Sequence, residues 1–365
     1  MSYKLNPHWF KSLIPAQQKF ALESRGAHFL FKFLFKKGHH LFIVGTTESG
    51  KTQKGYWLVR WIKTTKETVV WLDSAKNGEI LPLLTLGTPV RIVCPKGCNV
   101  IIKEWSKEEK KYIKIKDHPE VVTAPDPGSS WWAVKKGHIN IFCFRRAFEK
   151  SESSRVWMGE LFRSLSFWTG KNIMPRILPL CIVGDEAHWF LAGEKITSNS
   201  ERNQLSELIT ELSLEDRAYG IRLVLMAQGF KNLPPGTREN LINVLLCRGA
   251  KVESTENNTL SKFNSYTSGY RPDQGMFVYA GGFTYPQNFP WPFPFFPKPK
   301  MKIEYSGEFD NPTTEQIQEK EILDEMEPDL NKYQSLIADL QGYKIPVNMN
   351  RYDLLDIEME VDFNE

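Results

Sequence analysis

Residues 45–52 read Gly45-Thr46-Thr47-Glu48-Ser49-Gly50-Lys51-Thr52, a complete G-x-x-x-x-G-K-[ST] loop. Such a loop constrains the fold strongly, because it works only between a buried strand and a helix. Both flanks suit it. His40-Leu41-Phe42-Ile43-Val44 is short, apolar and β-branched, and Gln53 to Lys63 can continue as a helix. The glycines let backbone N–H groups close on phosphate oxygens, and the new helix points its positive end at them. Lys51 would then reach the β- and γ-phosphates of ATP, and the Thr52 hydroxyl would meet Mg2+.

The complementary half lies far downstream. Ile182-Val183-Gly184-Asp185-Glu186-Ala187-His188 follows the apolar run Ile177-Leu178-Pro179-Leu180-Cys181. A buried strand ending in two carboxylates is the Walker B arrangement: Asp185 would hold magnesium through water, and Glu186 would orient or deprotonate the attacking water. Phosphoryl transfer needs positioned charge more than covalent chemistry, so these few residues can carry most of it. His188 completes the letters DEAH and is read as a neighbour of the site.

Composition bounds the remainder. The chain has 365 residues, 41% hydrophobic and 25% charged, which is ordinary globular usage for one large core or two modest ones. The five cysteines are dispersed at 94, 98, 143, 181 and 247 and read as reduced and intracellular, so a cytoplasmic location is expected. Cys94 and Cys98 form a C-x-x-x-C without the second pair that a zinc site normally needs. The best apolar stretch, Phe29 to Val44, is interrupted by lysines and histidines and is too short to span a membrane. Charge is asymmetric: residues 306–365 hold sixteen acidic and four basic residues, a balance of −12, so the other 305 residues carry +4 − (−12) = +16. A basic body with an acidic tail points to a polyanionic partner for the body.

Strand patterns fall at 40–44, 68–72, 90–94, 99–102, 139–144, 178–183, 222–228 and 244–248, with helices at 53–63, 152–168 and 201–216. Their alternation predicts an α/β fold, a mainly parallel sheet covered by helices on both faces. Lys103 to Lys116 reads as a solvated helix or excursion. Four parts are expected: an N-terminal helical segment (1–38), the RecA-like P-loop domain (39–284), a Pro/aromatic-rich docking segment (285–305) and an acidic, partly disordered tail (306–365) with two short helical patterns.

Several blocks in order resemble the FtsK/HerA superfamily of DNA-pumping motors, which are P-loop ATPases with an additional strand between the Walker motifs. Gly45 to Thr52 is similar to that family's phosphate loop. Asp73 to Glu79 is similar to its D-x-K-G-E turn, and Asp185-Glu186-Ala187-His188 to its Walker B. Arg217-Ala218-Tyr219-Gly220-Ile221-Arg222 leads into Leu225-Met226-Ala227-Gln228 as its arginine and glutamine block does. The likeness covers about residues 38–282. It implies that Gln228 senses the γ-phosphate or places the water. Arg217, with Arg248 as a second candidate, would be an arginine that a neighbouring subunit inserts into the ATP site, which requires an oligomer; a ring hexamer is the family's habit. Glu48 stands where the family usually has glycine, and Gly229-Phe230 where it often has Arg-Pro. Compact members include viral genome-packaging and plasmid or conjugation ATPases.

DNA contacts are expected from Lys195 and Arg202, in the loop after Walker B, and from Lys231 and Arg238. These residues offer cations for phosphates without base reading. The alternative is a virion-assembly or secretion ATPase acting on protein at a membrane, like zonular-occludens-toxin-like relatives; a nucleotide-gated adaptor is a third class. A two-domain DEAH helicase fits poorly, since too little chain follows Gln228 for a second RecA-like domain.

Overall fold

The computed structural model describes residues 39–62, 67–73, 79–144, 151–171, 175–189, 191, 200–215, 219–241, 243–279, 282–289 and 301–306. All of them belong to one compact unit, Met1–Asp310. The N-terminal segment 1–38, the acidic tail after 306 and the centre of the Pro/aromatic segment (290–300) lie outside the described residues.

The chain opens with β1 (Leu41–Val44), the phosphate loop and α1 (Lys51–Ile62), then β2 (Thr68–Leu72) and β3 (Val90–Pro95). An excursion follows, β4 (Asn99–Ser106) and β5 (Lys111–Lys114), before β6 (Glu120–Ala124) and β7 (Ile139–Phe142). Next come α2 (Ser151–Gly170), β8 (Leu180–Gly184), α3 (Ser200–Glu215), β9 (Ile221–Ala227), α4 (Pro235–Asn240) and β10 (Val244–Cys247). Two short helices, α5 (Asn258–Ser261) and α6 (Asn264–Ser268), precede β11 (Gln274–Tyr279), β12 (Gly282–Phe283), β13 (Gln287–Asn288) and β14 (Met301–Ser306).

The main sheet runs β12-β11-β10-β1-β9-β8-β2-β7-β3-β6, with β13 also on β11. Every pair from β10 through β6 is parallel, and β11 closes the edge antiparallel. Every residue of β1, β2, β7, β8, β9 and β10 is buried, so both faces of these strands are covered. That explains why they read as continuous Val/Ile/Leu runs with no polar alternation. β9 lies between the phosphate-loop strand β1 and the Walker B strand β8. This intervening strand makes the fold a RecA-like P-loop NTPase with the additional strand, as expected.

The far end of the sheet is fastened by polar groups that find each other. His40 Nδ1 accepts from Leu223 N–H, Asn243 Nδ2 donates to His40 O, and Asn140 Nδ2 donates to Val69 O. Arg222 at the start of β9 pairs with Glu67 just before β2 at 2.6 Å, both side chains nearly inaccessible.

The structure adds to these expectations in three places. Of the two readings of Lys103 to Lys116, the excursion is the one found: β4 runs on to Ser106, turns, and returns as β5. The lysine and glutamate content suggested a solvated helix, but Val100 and Ile102 set a period of two, and the third strand of that sheet, β14, lies about two hundred residues away in sequence. Strands β6, β11 and β12 had no distinct signal. Pairing also carries across the boundary expected at 284: β13 joins the main sheet, Phe289 is fully buried, and β14 pairs antiparallel with β4.

Candidate active site

The parallel strands end on a common edge, where ligands bind in open α/β sheets. Each central strand delivers one group there: Arg248 after β10, Gly45 after β1, Gln228 after β9, Asp185 after β8 and Asp73 after β2. The register aligns them, with Val44 opposite Ala227 and Gly184 opposite both Leu225 and Leu72.

The phosphate loop is braced by its neighbours. Gly45 N–H donates to Ala227 O, and both Thr46 N–H and Thr46 Oγ1 donate to Arg248 O at 3.2 Å. Lys51 Nζ folds back to donate to Gly45 O and Thr46 O, each at 2.9 Å. A Cβ on Gly50 (φ +74°) would come within 2.2 Å of Pro272 O, so only glycine fits there. Glu48 also has positive φ, at 61°, and its side chain is exposed. The loop therefore keeps the left-handed turn that glycine takes freely, at a conformational cost of about 1 kcal/mol.

Two motifs far apart in sequence meet here. Thr52 Oγ1 donates to Asp185 Oδ2 at 2.6 Å, and Asp185 Oδ1 accepts from Glu186 N–H at 2.9 Å. Glu186 is buried and lies in the left-handed region (φ 50°). Non-glycine residues held there are strained and occur preferentially at active sites. Its Oε2 is 3.0 Å from Nδ1 of the half-exposed His188, so the residue read as a neighbour of the site lies directly against the carboxylate.

The sequence reading missed other groups. Lys54 is fully buried and donates to Ser49 O (3.1 Å) and Pro272 O (2.6 Å), with its ammonium 5.7 Å from the Phe289 ring centre. Burial pulls its amine below the usual lysine range. Gln53 Nε2 donates to Phe289 O. Lys54 and Gln53 thus tie the phosphate loop and α1 to the chain after α6. Tyr56 Oη donates to Glu79 O, and burial, then Glu79 and Asp185, raise its phenol well above the usual range. Asp73 is buried and accepts from Tyr305 Oη at 3.3 Å. Lys54 lies one helical turn past the motif, but no local pattern marks Pro272, Phe289 or Tyr305 as its neighbours or Asp73's.

Among the remaining expected residues, Gln228 and Arg248 are exposed at the strand ends on either side of Gly45. Lys231 is exposed, 3.8 Å from Glu253. Arg238 is mostly buried, 3.8 Å from Glu256, with its guanidinium 5.8 Å from the Phe230 ring centre. Arg217, Lys195 and the Arg202 side chain lie outside the described residues. Cys94 and Cys98 are buried free thiols, as are the other three cysteines. Among the described residues no group of three metal-ligating side chains forms, and no helix is long and apolar enough to cross a membrane.

No family model matches the sequence, and no curated protein matches it. Solved structures do resemble it. The genome-packaging NTPase B204 of Sulfolobus turreted icosahedral virus 2, in complex with ATP-γS, is 12% identical over 68% of this chain and 96% of its own, with a TM-score of 0.41. VirB4 of Thermoanaerobacter pseudethanolicus is 12% identical over 68% of this chain and 88% of its own, at 0.45. ATPases 2 and 3 of Thermomonospora curvata EccC are 13% identical over 70% of this chain and 38% of that one, at 0.42. The fold assignment rests on the strand order and on the motif positions within it.

Proposed function

We propose that this chain is an ATP-hydrolysing motor of the FtsK/HerA type that translocates DNA for genome packaging or DNA transfer. The observation that carries the hydrolytic part is the 2.6 Å contact of Thr52 Oγ1 with Asp185 Oδ2 across β9. It joins a phosphate-binding loop to a carboxylate pair whose second member, Glu186, is buried, strained and 3.0 Å from His188.

The site's donors fit a magnesium nucleotide. A hydroxyl and one carboxylate are hard oxygen ligands of the kind Mg2+ takes beside substrate phosphates. The bound ion would offset phosphate charge. Lys51 exchanges its two loop carbonyls for the β- and γ-phosphates, and the first-turn N–H groups of α1, which lack partners inside the helix, complete the cradle. Glu186 accepts a proton from the attacking water, and Gln228, one strand away, orients it. Arg217 or Arg248 of a second copy stabilises the charge that develops, within a ring of identical subunits.

DNA as the moved substrate is supported by the ordered sequence blocks and by the +16 balance outside the acidic tail. The test is steady-state hydrolysis with and without linear duplex DNA at low and moderate salt. Several-fold stimulation that fades with salt is expected. Hydrolysis indifferent to nucleic acid overturns the DNA part and points to protein as the substrate.

A further inference from the structure

The small sheet β14-β4-β5 has one face on the core, and on the other Trp105 and Lys114 are exposed while Lys103, Tyr112 and Lys302 are half-buried. Val100 and Ile102 are fully buried, and Met301, Ile303 and Tyr305 pack against the core beside them. The outward positions carry an unexpected row. Lys302, Lys103 and Lys114 are direct cross-strand partners on three adjacent strands. Like charges placed opposite each other destabilise a sheet. Glu304, two residues along β14, bridges Lys103 and Lys302, with 2.6 Å to the latter. Lys114 has no carboxylate partner among the described residues, so the face keeps a positive excess.

The next row is aromatic. Trp105 stands opposite Tyr112, with ring centres 5.2 Å apart at an edge-on angle of 73°. The Lys302 ammonium sits 4.7 Å from the Tyr112 ring centre, which leaves Trp105, 40% exposed, as the accessible ring. An exposed tryptophan beside a row of cations is poor design for a solvated face. It matches what an unpaired nucleic acid strand needs, a π-face for a base and cations spaced along the backbone.

We propose that this face binds single-stranded nucleic acid, with a base stacked on Trp105 and phosphates on Lys114 and Lys302. The site uses none of the residues expected to contact DNA, Lys195, Arg202, Lys231 and Arg238. It does not depend on hydrolysis, so its test is independent of the motor assignment. It is tied to the nucleotide edge through β14, whose Tyr305 reaches Asp73.

The experiment is fluorescence anisotropy of a labelled oligothymidylate of about 20 nucleotides, titrated with the full chain in the absence of nucleotide. Trp105→Ala should weaken binding about 5- to 150-fold, the range for loss of one stacking platform. Lys114→Gln should weaken it less and reduce the salt slope by roughly 0.7, the value for one phosphate contact on a single strand. Both side chains are solvent-accessible, so the thermal midpoint and DNA-free hydrolysis should match the parent and serve as folding controls. Unchanged affinity in Trp105→Ala overturns the proposal. So does an equal loss for a duplex of the same length, or polyglutamate that binds as tightly as the oligonucleotide and quenches Trp105 fluorescence equally.

Discussion

The two ends of the parallel sheet bury charge in opposite ways. At the strand starts, Arg222 and Glu67 hold each other at 2.6 Å, a charge matched by a charge. At the strand ends, Lys51 and Lys54 are held by backbone carbonyls and Asp185 by a hydroxyl and a peptide N–H. Two non-glycine residues there, Glu48 and Glu186, sit in the left-handed region. Breaking the Arg222–Glu67 pair would strand a buried charge, whereas carbonyls and hydroxyls can be exchanged for a ligand's oxygens. The first end is therefore a fastening, and the second is arranged to exchange its present contacts for a ligand's.

If this contrast is right, substitutions at the two ends should separate catalysis from stability. The largest effect is expected from Glu186→Gln, which keeps the size and hydrogen-bonding reach but removes the base. Phosphate release should fall about 10²- to 10⁴-fold, as for loss of a positioned proton acceptor. Affinity for a non-hydrolysable ATP analogue should stay within a few-fold. Near-parent hydrolysis would remove Glu186 from the catalytic role and dissolve the contrast.

Arg222→Met should do the converse. It strands the Glu67 carboxyl and should lower unfolding free energy by about 3–5 kcal/mol in urea titrations, with turnover per folded molecule unchanged. The pH trend is diagnostic. Burial already holds Glu67 above the ordinary carboxylate range against the pull of Arg222. Without the arginine it rises further, and the folded state keeps a proton that the unfolded chain releases. The variant should therefore be least impaired in acid and lose stability as pH rises through the carboxylate range. A pH-independent loss would mean that packing, not charge pairing, fastens that end.

The smallest effect sharpens the picture at the nucleotide end. Glu48→Gly should raise stability by about 1 kcal/mol by relieving the left-handed strain. It should also tighten ATP-analogue binding, because it takes a carboxylate away from the phosphates. Stabilisation without tighter binding would show that the Glu48 side chain points clear of the ligand.

Much of the nucleotide edge was legible because its information is local. A phosphate loop needs glycine at a left-handed turn and a lysine at fixed spacing, and a buried parallel strand must be apolar on both faces. Residues 45–52, 185–186 and most strands of the main sheet could therefore be read one segment at a time. The part of the β4–β5 hairpin after Ile102 could not, since its lysines and glutamates fit a helix as well as a sheet exterior. The period of two set by Val100 and Ile102, continued by pairing with β14, distinguishes the two.

The sequence by itself determined which side chains and tight turns make up the candidate site, since these are specified by residue type and short spacing. Tertiary structure alone decided their company: β9 between the two motif strands, His188 against Glu186, Lys54 against Pro272, Tyr305 against Asp73, and three lysines in one cross-strand row. The physical reason is that strand order and register follow from how whole apolar faces bury one another. That choice is made over the entire sheet, and no short stretch of residues records it.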